Sequence, residues 1–347
     1  MAVSSKAPGP ACAPLRVGVI GAGRIGRMHA ELLARSVPGA KLQCVHDVDE
    51  RRARPVADAL GVRLASSLEQ VLASDVDAVA ICSSTNTHAD LLTASARAGK
   101  AIFCEKPVSL DLNELDRALA EVRASQVPFQ IGFNRRFDRA HAAVRRAVAV
   151  GEVGDVELLR ITSRDPEPPP LDYVKVSGGL FLDMTIHDFD MARFVTGSEV
   201  TEVYARGAVR IDPAFAQAGD LDTALITLVH ENGCLTAIDN SRRAAYGYDQ
   251  RVEAFGSLGM AASCNPRQHT TLVQTASGGH LPTLQEFFLE RYADSYRRQW
   301  EHFIATVHDP SGSEGQLSDA RAPLVIGLAA WRSVRECRPV SIVEVEG

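Results

Sequence analysis

The chain has 347 residues, of which 46% are hydrophobic and 23% charged; this is an ordinary globular composition, long enough for two domains or one large one. A net charge of -6 disfavours a nucleic-acid partner. The longest apolar stretches, such as residues 76–82, fall well short of the roughly 20 residues a membrane span needs.

Residues 1–14 are rich in Ala, Ser and Pro, lack the apolar core of a signal peptide, and read as a flexible leader. From there strand and helix signals alternate. Residues 15–20 form a short apolar run, followed by a glycine-rich turn and a helical stretch over 25–35. Strand patterns at 41–47, 77–82, 101–104 and 129–133 are separated by helix patterns at 50–60, 88–98 and 112–125. Gly61 and Gly99 stop two of those helices. This rhythm predicts a parallel, doubly wound sheet. After about Asp138 it changes. Strand-like runs at 156–162, 200–209, 224–229, 235–240, 251–255 and 270–275 are interrupted by few helices, chiefly 181–195 and 284–307, before a last helical segment at 320–337. The fold class is therefore α/β: a Rossmann domain over 15–137, then an α+β domain over 138–347 with a largely antiparallel open sheet, its last helix free to pack on either domain. The segment 165–171 holds four prolines and reads as a loop.

Seven cysteines are present, Cys12, Cys44, Cys82, Cys104, Cys234, Cys264 and Cys337, an odd number with no CxxC pair. No zinc-ligand spacing occurs, so no metal is expected. Cys44, Cys82 and Cys104 sit in apolar runs and read as small core side chains in a reducing compartment, which points to the cytoplasm.

Gly21-Ala22-Gly23-Arg24-Ile25-Gly26 follows the first strand and opens the first helix, the context a dinucleotide fingerprint requires. Gly21 allows the tight turn, Gly23 lets the backbone approach a pyrophosphate, Gly26 lets helix and strand pack, and the helix N-terminus faces the phosphates. Asp47 ends the second strand, where a carboxylate accepts hydrogen bonds from ribose hydroxyls and repels a 2′-phosphate. The cofactor expected is NAD, although Arg51, Arg52 and Arg54 follow closely. Ser83, Thr85, Asn86 and His88 succeed another strand end and could line the cofactor, or form a polar loop capped at Thr87.

Glu105-Lys106-Pro107 lies at the carboxyl end of a parallel strand, where ligands sit in such sheets. Lys106 could hydrogen-bond a reacting hydroxyl and stabilise the developing alkoxide, while Pro107 helps fix the turn. Asp183 and His187 are four residues apart and are expected on one helical face. A histidine can accept a hydroxyl proton near neutral pH, and Asp183 could hold that histidine or the substrate. A nicotinamide site with a lysine and a histidine–carboxylate pair is chemically complete for alcohol oxidation. Arg135 and Arg136 follow a strand end and either anchor a polar substrate, Arg136 being the candidate contact, or brace the protein.

The combination of Gly21 to Gly26, Glu105-Lys106-Pro107, Gly132-Phe133-Asn134-Arg135-Arg136-Phe137-Asp138 and residues 183–190 resembles the Gfo/Idh/MocA oxidoreductases. Stretches 162–166, 176–190, 246–251 and 288–303 resemble more narrowly those members that oxidise inositols. The resemblance implies a Rossmann domain followed by a domain whose open sheet forms dimers or tetramers. It implies that Lys106, Asp183 and His187 are catalytic, with His187 as general base assisted by Lys106, and that Tyr248 and Tyr296 contact substrate, Tyr246 and Tyr292 being close alternatives. The activity so implied is NAD-dependent oxidation of myo-inositol to its 2-ketone. Scyllo-inositol, a pyranose aldose, or a regulator that senses NAD without turnover are the alternatives.

Overall fold

The computed structural model describes residues 13–309 and 313–346. Residues 1–12 of the expected leader, with Cys12, lie outside them. The chain divides into two compact units. The first comprises the described residues up to Glu105, then Ala118–Gln130 and the stretch from Trp300; the second comprises Lys106–Arg117, Ile131–Gln299 and the stretch from Gly315.

The first unit is built on strands β1 (Leu15–Ile20), β2 (Ala40–His46), β3 (Arg63–Leu64), β4 (Ala78–Ile81), β5 (Ala101–Cys104) and β6 (Phe129–Ile131), in the order β3-β2-β1-β4-β5-β6. The pairs β1–β2, β2–β3, β1–β4 and β4–β5 are parallel. β4 and β5 are buried at every residue, as expected of strands covered on both faces. The strand order reverses between β1 and β4, and the crevice beyond their carboxyl ends is where doubly wound sheets bind ligands. Helices close by local rules. Asp49 accepts from the Arg51 amide to start helix Glu50–Leu60, and Gly61, at φ 65°, ends it. Trp300 and Phe303, from helix Ala293–His308, complete this core beside Phe103 and Ala30. Cys44, Cys82 and Cys104 are buried, as expected, while Cys264 and Cys337 are exposed.

The second unit contains β7 (Val156–Arg164), β8 (Val200–Ala208), β9 (Thr223–His230), β10 (Leu235–Ser241), β11 (Asp249–Gly256) and β12 (Gly259–Ala262). With β15 (Val340–Ser341) they form a seven-stranded sheet, β12-β11-β7-β10-β9-β8-β15. All its pairs are antiparallel except β7–β10. Burial alternates along β9 and β10, so one face meets the core of Leu159, Ile161, Phe181, Phe189 and Ile326 and the other is open. The run expected as a strand at 270–275 is instead half of a small hairpin, β13 (Val273–Thr275) and β14 (Gly278–His280), apart from the large sheet. Helix Arg139–Ala149, which the sequence pattern did not suggest, is capped by Asp138 accepting from the amides of Ala140 and His141.

Two expected helices are broken. The stretch 181–195 divides into Gly179–Asp183 and Ile186–Thr196, with Met184 and Thr185 between them. The stretch 284–307 divides at Tyr292 into Phe288–Arg291 and Ala293–His308.

Candidate active site

In the first unit, Gly21 leaves β1 at φ 98°, a left-handed conformation that favours glycine. A Cβ on Gly26 would stand 1.9 Å from the Gly21 carbonyl oxygen, so the helix can pack there only as glycine. A Cβ on Gly23 would meet nothing within 4 Å. Gly23 is the extended residue before helix Arg24–Arg35, with no side-chain cap on the helix amides. The turn thus presents open backbone at a helix N-terminus, a site suited to a pyrophosphate. Arg24 is exposed and Ile25 half-buried at its rim. Asp47 Oδ2 accepts from the Ala22 amide at 2.7 Å and Oδ1 from the Asp49 amide at 2.8 Å. The carboxylate is thereby tied to the glycine turn while staying half-exposed, as a ribose ligand would be. The residues present therefore fit a dinucleotide.

The polar loop after β4 is also ordered by its own bonds. Ser83 Oγ and Thr87 Oγ1 lie 2.7 Å apart, and Thr87 donates to the Ser84 carbonyl at 2.7 Å. Thr87 precedes helix His88–Arg97 but makes no side-chain cap. His88 is buried, with Nε2 3.0 Å from the Ser83 carbonyl; it shapes the loop rather than projecting from it. Thr85 is half-buried and Asn86 exposed. Glu105 is only 13% exposed, and its Oε1 lies 2.8 Å from His29 Nε2.

In the second unit, Lys106 Nζ donates to the Asp183 carbonyl at 2.8 Å and approaches Asp183 Oδ1 at 3.5 Å. Tyr173 donates to the same Oδ1 at 2.8 Å. Arg242 Nη1 donates to Asp183 Oδ2 at 3.1 Å and to Asp165 Oδ2 at 3.4 Å. Burial works against the Asp183 charge, but Lys106 and Arg242, with the Tyr173 hydroxyl, outweigh it and hold this carboxyl below the usual range. Asp165 is pushed the other way: burial raises it, Arg242 opposes, and the Asp183 charge adds to the rise.

His187 opens helix Ile186–Thr196, its ring edge-on to Phe133 at 5.9 Å. Its Nδ1 is buried and has no hydrogen-bond partner among the described residues. Burial, then the positive charges of Lys106 and Arg135, lower its pKa well below the ordinary histidine value. The expectation that Asp183 and His187 share one helical face does not hold. The break at Met184–Thr185 separates them, and Asp183 binds Lys106, Tyr173 and Arg242, not His187. Thr185, in the break, donates to Asn240 Oδ1 at 2.6 Å.

The two arginines after β6 have different surroundings. Arg135 is buried and donates to Asp188 Oδ1 at 2.7 Å and Ser163 Oγ at 2.9 Å. Arg136 spends its donors on Asp190 and Asp319. Each of its three nitrogens is thus engaged by a carboxylate within the protein. Tyr248 is buried, edge-on to Tyr292 at 6.1 Å; the Tyr292 hydroxyl is buried without a hydrogen-bond partner. Tyr246 is half-exposed and donates to Asp249 Oδ2 at 2.7 Å. Tyr296 is buried in helix Ala293–His308. Asp165, Tyr173 and Arg242 were not singled out from sequence as site residues. None of the three sits in a motif or a periodic pattern that marks it.

A doubly wound sheet with this glycine turn and tethered aspartate defines an NAD-binding Rossmann oxidoreductase. Residues 15–133 match the model described as "Oxidoreductase family, NAD-binding Rossmann fold", and residues 141–262 match "GFO/IDH/MocA C-terminal domain". The chain is 48% identical over 337 residues to a myo-inositol 2-dehydrogenase of Thermotoga maritima, covering 96% of this chain and 100% of that one. A crystal structure of a probable dehydrogenase from Thermotoga maritima superposes with a TM-score of 0.93 at 48% identity, covering 95% of this chain and 100% of that one. A scyllo-inositol dehydrogenase from Lactobacillus casei, solved with bound NAD(H) and scyllo-inositol, superposes with a TM-score of 0.88 at 29% identity, covering 95% and 99%. The chain belongs to the Gfo/Idh/MocA family of oxidoreductases, and its cofactor is NAD.

Proposed function

We propose that the protein oxidises myo-inositol at one ring carbon to the 2-keto inositol, forming NADH. The observation that carries this reading is the state of three side chains. Lys106 is gripped by Asp183 through carbonyl and carboxylate, and His187 carries a buried, unpartnered ring nitrogen with a depressed pKa. NAD bound at the glycine turn would supply the acceptor for the hydride that leaves the substrate carbon. His187, unprotonated at neutral pH, accepts the hydroxyl proton. Lys106 directs a donor at the oxygen as negative charge develops there. Asp183, kept ionised by Lys106 and Arg242, orients Lys106. Gly21, Gly23, Arg24, Ile25, Gly26 and Asp47 hold the cofactor, with Ser83, Thr85, Asn86 and Glu105 bordering it. Tyr248 and Tyr296 serve the polyol.

The same reading has the enzyme work in the cytoplasm as a homo-oligomer, a dimer or tetramer, formed through the open sheet. Among the described residues no helix is long and apolar enough to cross a membrane. On the open sheet face Met260, Phe255, Leu158 and Leu235 are successive register partners across four strands, and all are exposed. A continuous apolar row of this kind is a common mark of a subunit interface.

The test is steady-state reduction of NAD and NADP with myo-inositol, scyllo-inositol and D-glucose. The largest kcat/KM is expected for NAD with myo-inositol. A clear preference for scyllo-inositol or glucose would keep the chemistry and move the substrate; NAD binding with no turnover of any polyol would favour a sensor.

A further inference from the structure

Helix Arg24–Arg35 contributes more to the first unit than its N-terminus. One turn beyond the glycines it carries His29, which is fully buried. Trp300 Nε1 lies 2.9 Å from His29 Nδ1, and His29 Nε2 lies 2.8 Å from Glu105 Oε1. An indole N–H can only donate, so Nδ1 must accept. The partners therefore assign the hydrogen to Nε2, which donates to the Glu105 carboxylate. The imidazole is wedged edge-on between Phe103 at 5.1 Å and Trp300 at 5.7 Å, and those two rings stack at 4.5 Å. The ring thus has one tautomer and one orientation.

Glu105 is the residue after β5, its amide donating to the Ile81 carbonyl at 2.9 Å. The next residue is Lys106. Whatever fixes the Glu105 side chain fixes the exit of the strand that delivers the lysine.

We propose that Trp300 and His29 form a positioning relay that holds the Glu105 carboxylate and, through it, the backbone presenting Lys106 to the substrate. This rests on the reading of Lys106 as a catalytic group. His29 and Trp300 are positioning residues; neither touches reacting atoms. The relay starts in a helix nearly 200 residues beyond the lysine, so folding of that helix into the Rossmann core becomes a condition for an aligned lysine. A misplacement of about 1 Å at a reacting group can cost on the order of a hundredfold in rate, which is the scale expected here.

The experiment compares His29→Leu, which fills a similar volume but makes neither bond, with His29→Gln, whose amide can accept from the indole and donate to Glu105. Trp300→Phe removes only the first donor. For each, kcat, KM, the NAD dissociation constant and Tm are measured, with Lys106→Met as the reference. His29→Leu is expected to lower kcat about a hundredfold with NAD affinity changed less than threefold, and His29→Gln to recover most of the loss. Trp300→Phe is expected to fall between them. Should His29→Leu fail to fold, the Gln and Phe variants carry the same ordering. If His29→Leu keeps kcat within twofold while its Tm falls, the histidine is merely structural and the relay is refuted. If Lys106→Met turns over normally, the catalytic reading itself fails and the relay with it, a result distinct from the former.

Discussion

Arg242 is the side chain on which the charge balance of the site depends, and its removal should be felt in a pH-dependent way. The guanidinium is 3% exposed and bridges two carboxylates, Asp183 at 3.1 Å and Asp165 at 3.4 Å. Arg242→Leu leaves both without it. Removing one partner of a buried ion pair costs about 3–5 kcal/mol. Asp183 keeps Lys106 and Tyr173, so the lower end, about 3 kcal/mol, applies. At roughly 2–4 °C per kcal/mol for a unit of this size, Tm at neutral pH should fall by about 6–12 °C. The sign with pH follows from the two carboxyls. Asp183 is depressed in the folded protein, so the stability it lends is present above the unfolded carboxyl range and disappears as pH falls through its folded value. Asp165 is raised by burial, so its ionisation penalises the fold above the unfolded value, and without Arg242 that penalty grows. Both effects vanish in acid. Scanning fluorimetry between neutral and acid pH should therefore show the gap between wild type and Arg242→Leu narrowing as pH falls. A gap that is small at neutral pH, or constant across the range, would show that Arg242 does not hold the charge of these two carboxylates.

Other outcomes follow from the same geometry. Because burial, Lys106 and Arg135 hold His187 well below 6.5, the base is unprotonated through neutral pH, and kcat/KM should stay level as pH falls through 6.5, dropping only further into acid; an acid limb centred above 6.5 would contradict this. Gly26→Ala places a Cβ 1.9 Å from the Gly21 carbonyl oxygen and must displace the glycine turn; calorimetry should show NAD binding weakened at least about tenfold, alongside a stability loss of ~1–3 kcal/mol. Leu158→Lys puts a charge into the exposed apolar row between Phe255 and Leu235; light scattering should show a smaller assembly than wild type, and an unchanged mass would remove the open sheet as the interface.

The Rossmann half was legible because its signals are local. The glycines, Asp47 and the fully apolar β4 and β5 each sit in a short window where strand, turn and helix N-terminus leave a fixed pattern. Lys106 and His187 were legible by residue type and motif, but their setting was not. The spacing of Asp183 and His187 suggests one helix; the break at Met184–Thr185 is made by tertiary bonds such as Thr185 to Asn240, 55 residues away, which no helical window contains. The sequence shows the charge of Arg136 and hides its pairing with Asp190 and Asp319, 54 and 183 residues away. Arg242, Tyr173 and the Trp300–His29–Glu105 chain join residues 10 to 271 positions apart, and contacts at that range leave no periodicity to read.

Oxidation at the ring carbon can be followed through the fate of one hydrogen. Incubation with NAD and myo-inositol carrying deuterium at the carbon to be oxidised, followed by mass spectrometry of both products, should yield reduced nicotinamide bearing the deuterium and an inosose lacking it. Unlabelled NADH, or no inosose despite bound NAD, would rule out hydride transfer from that carbon.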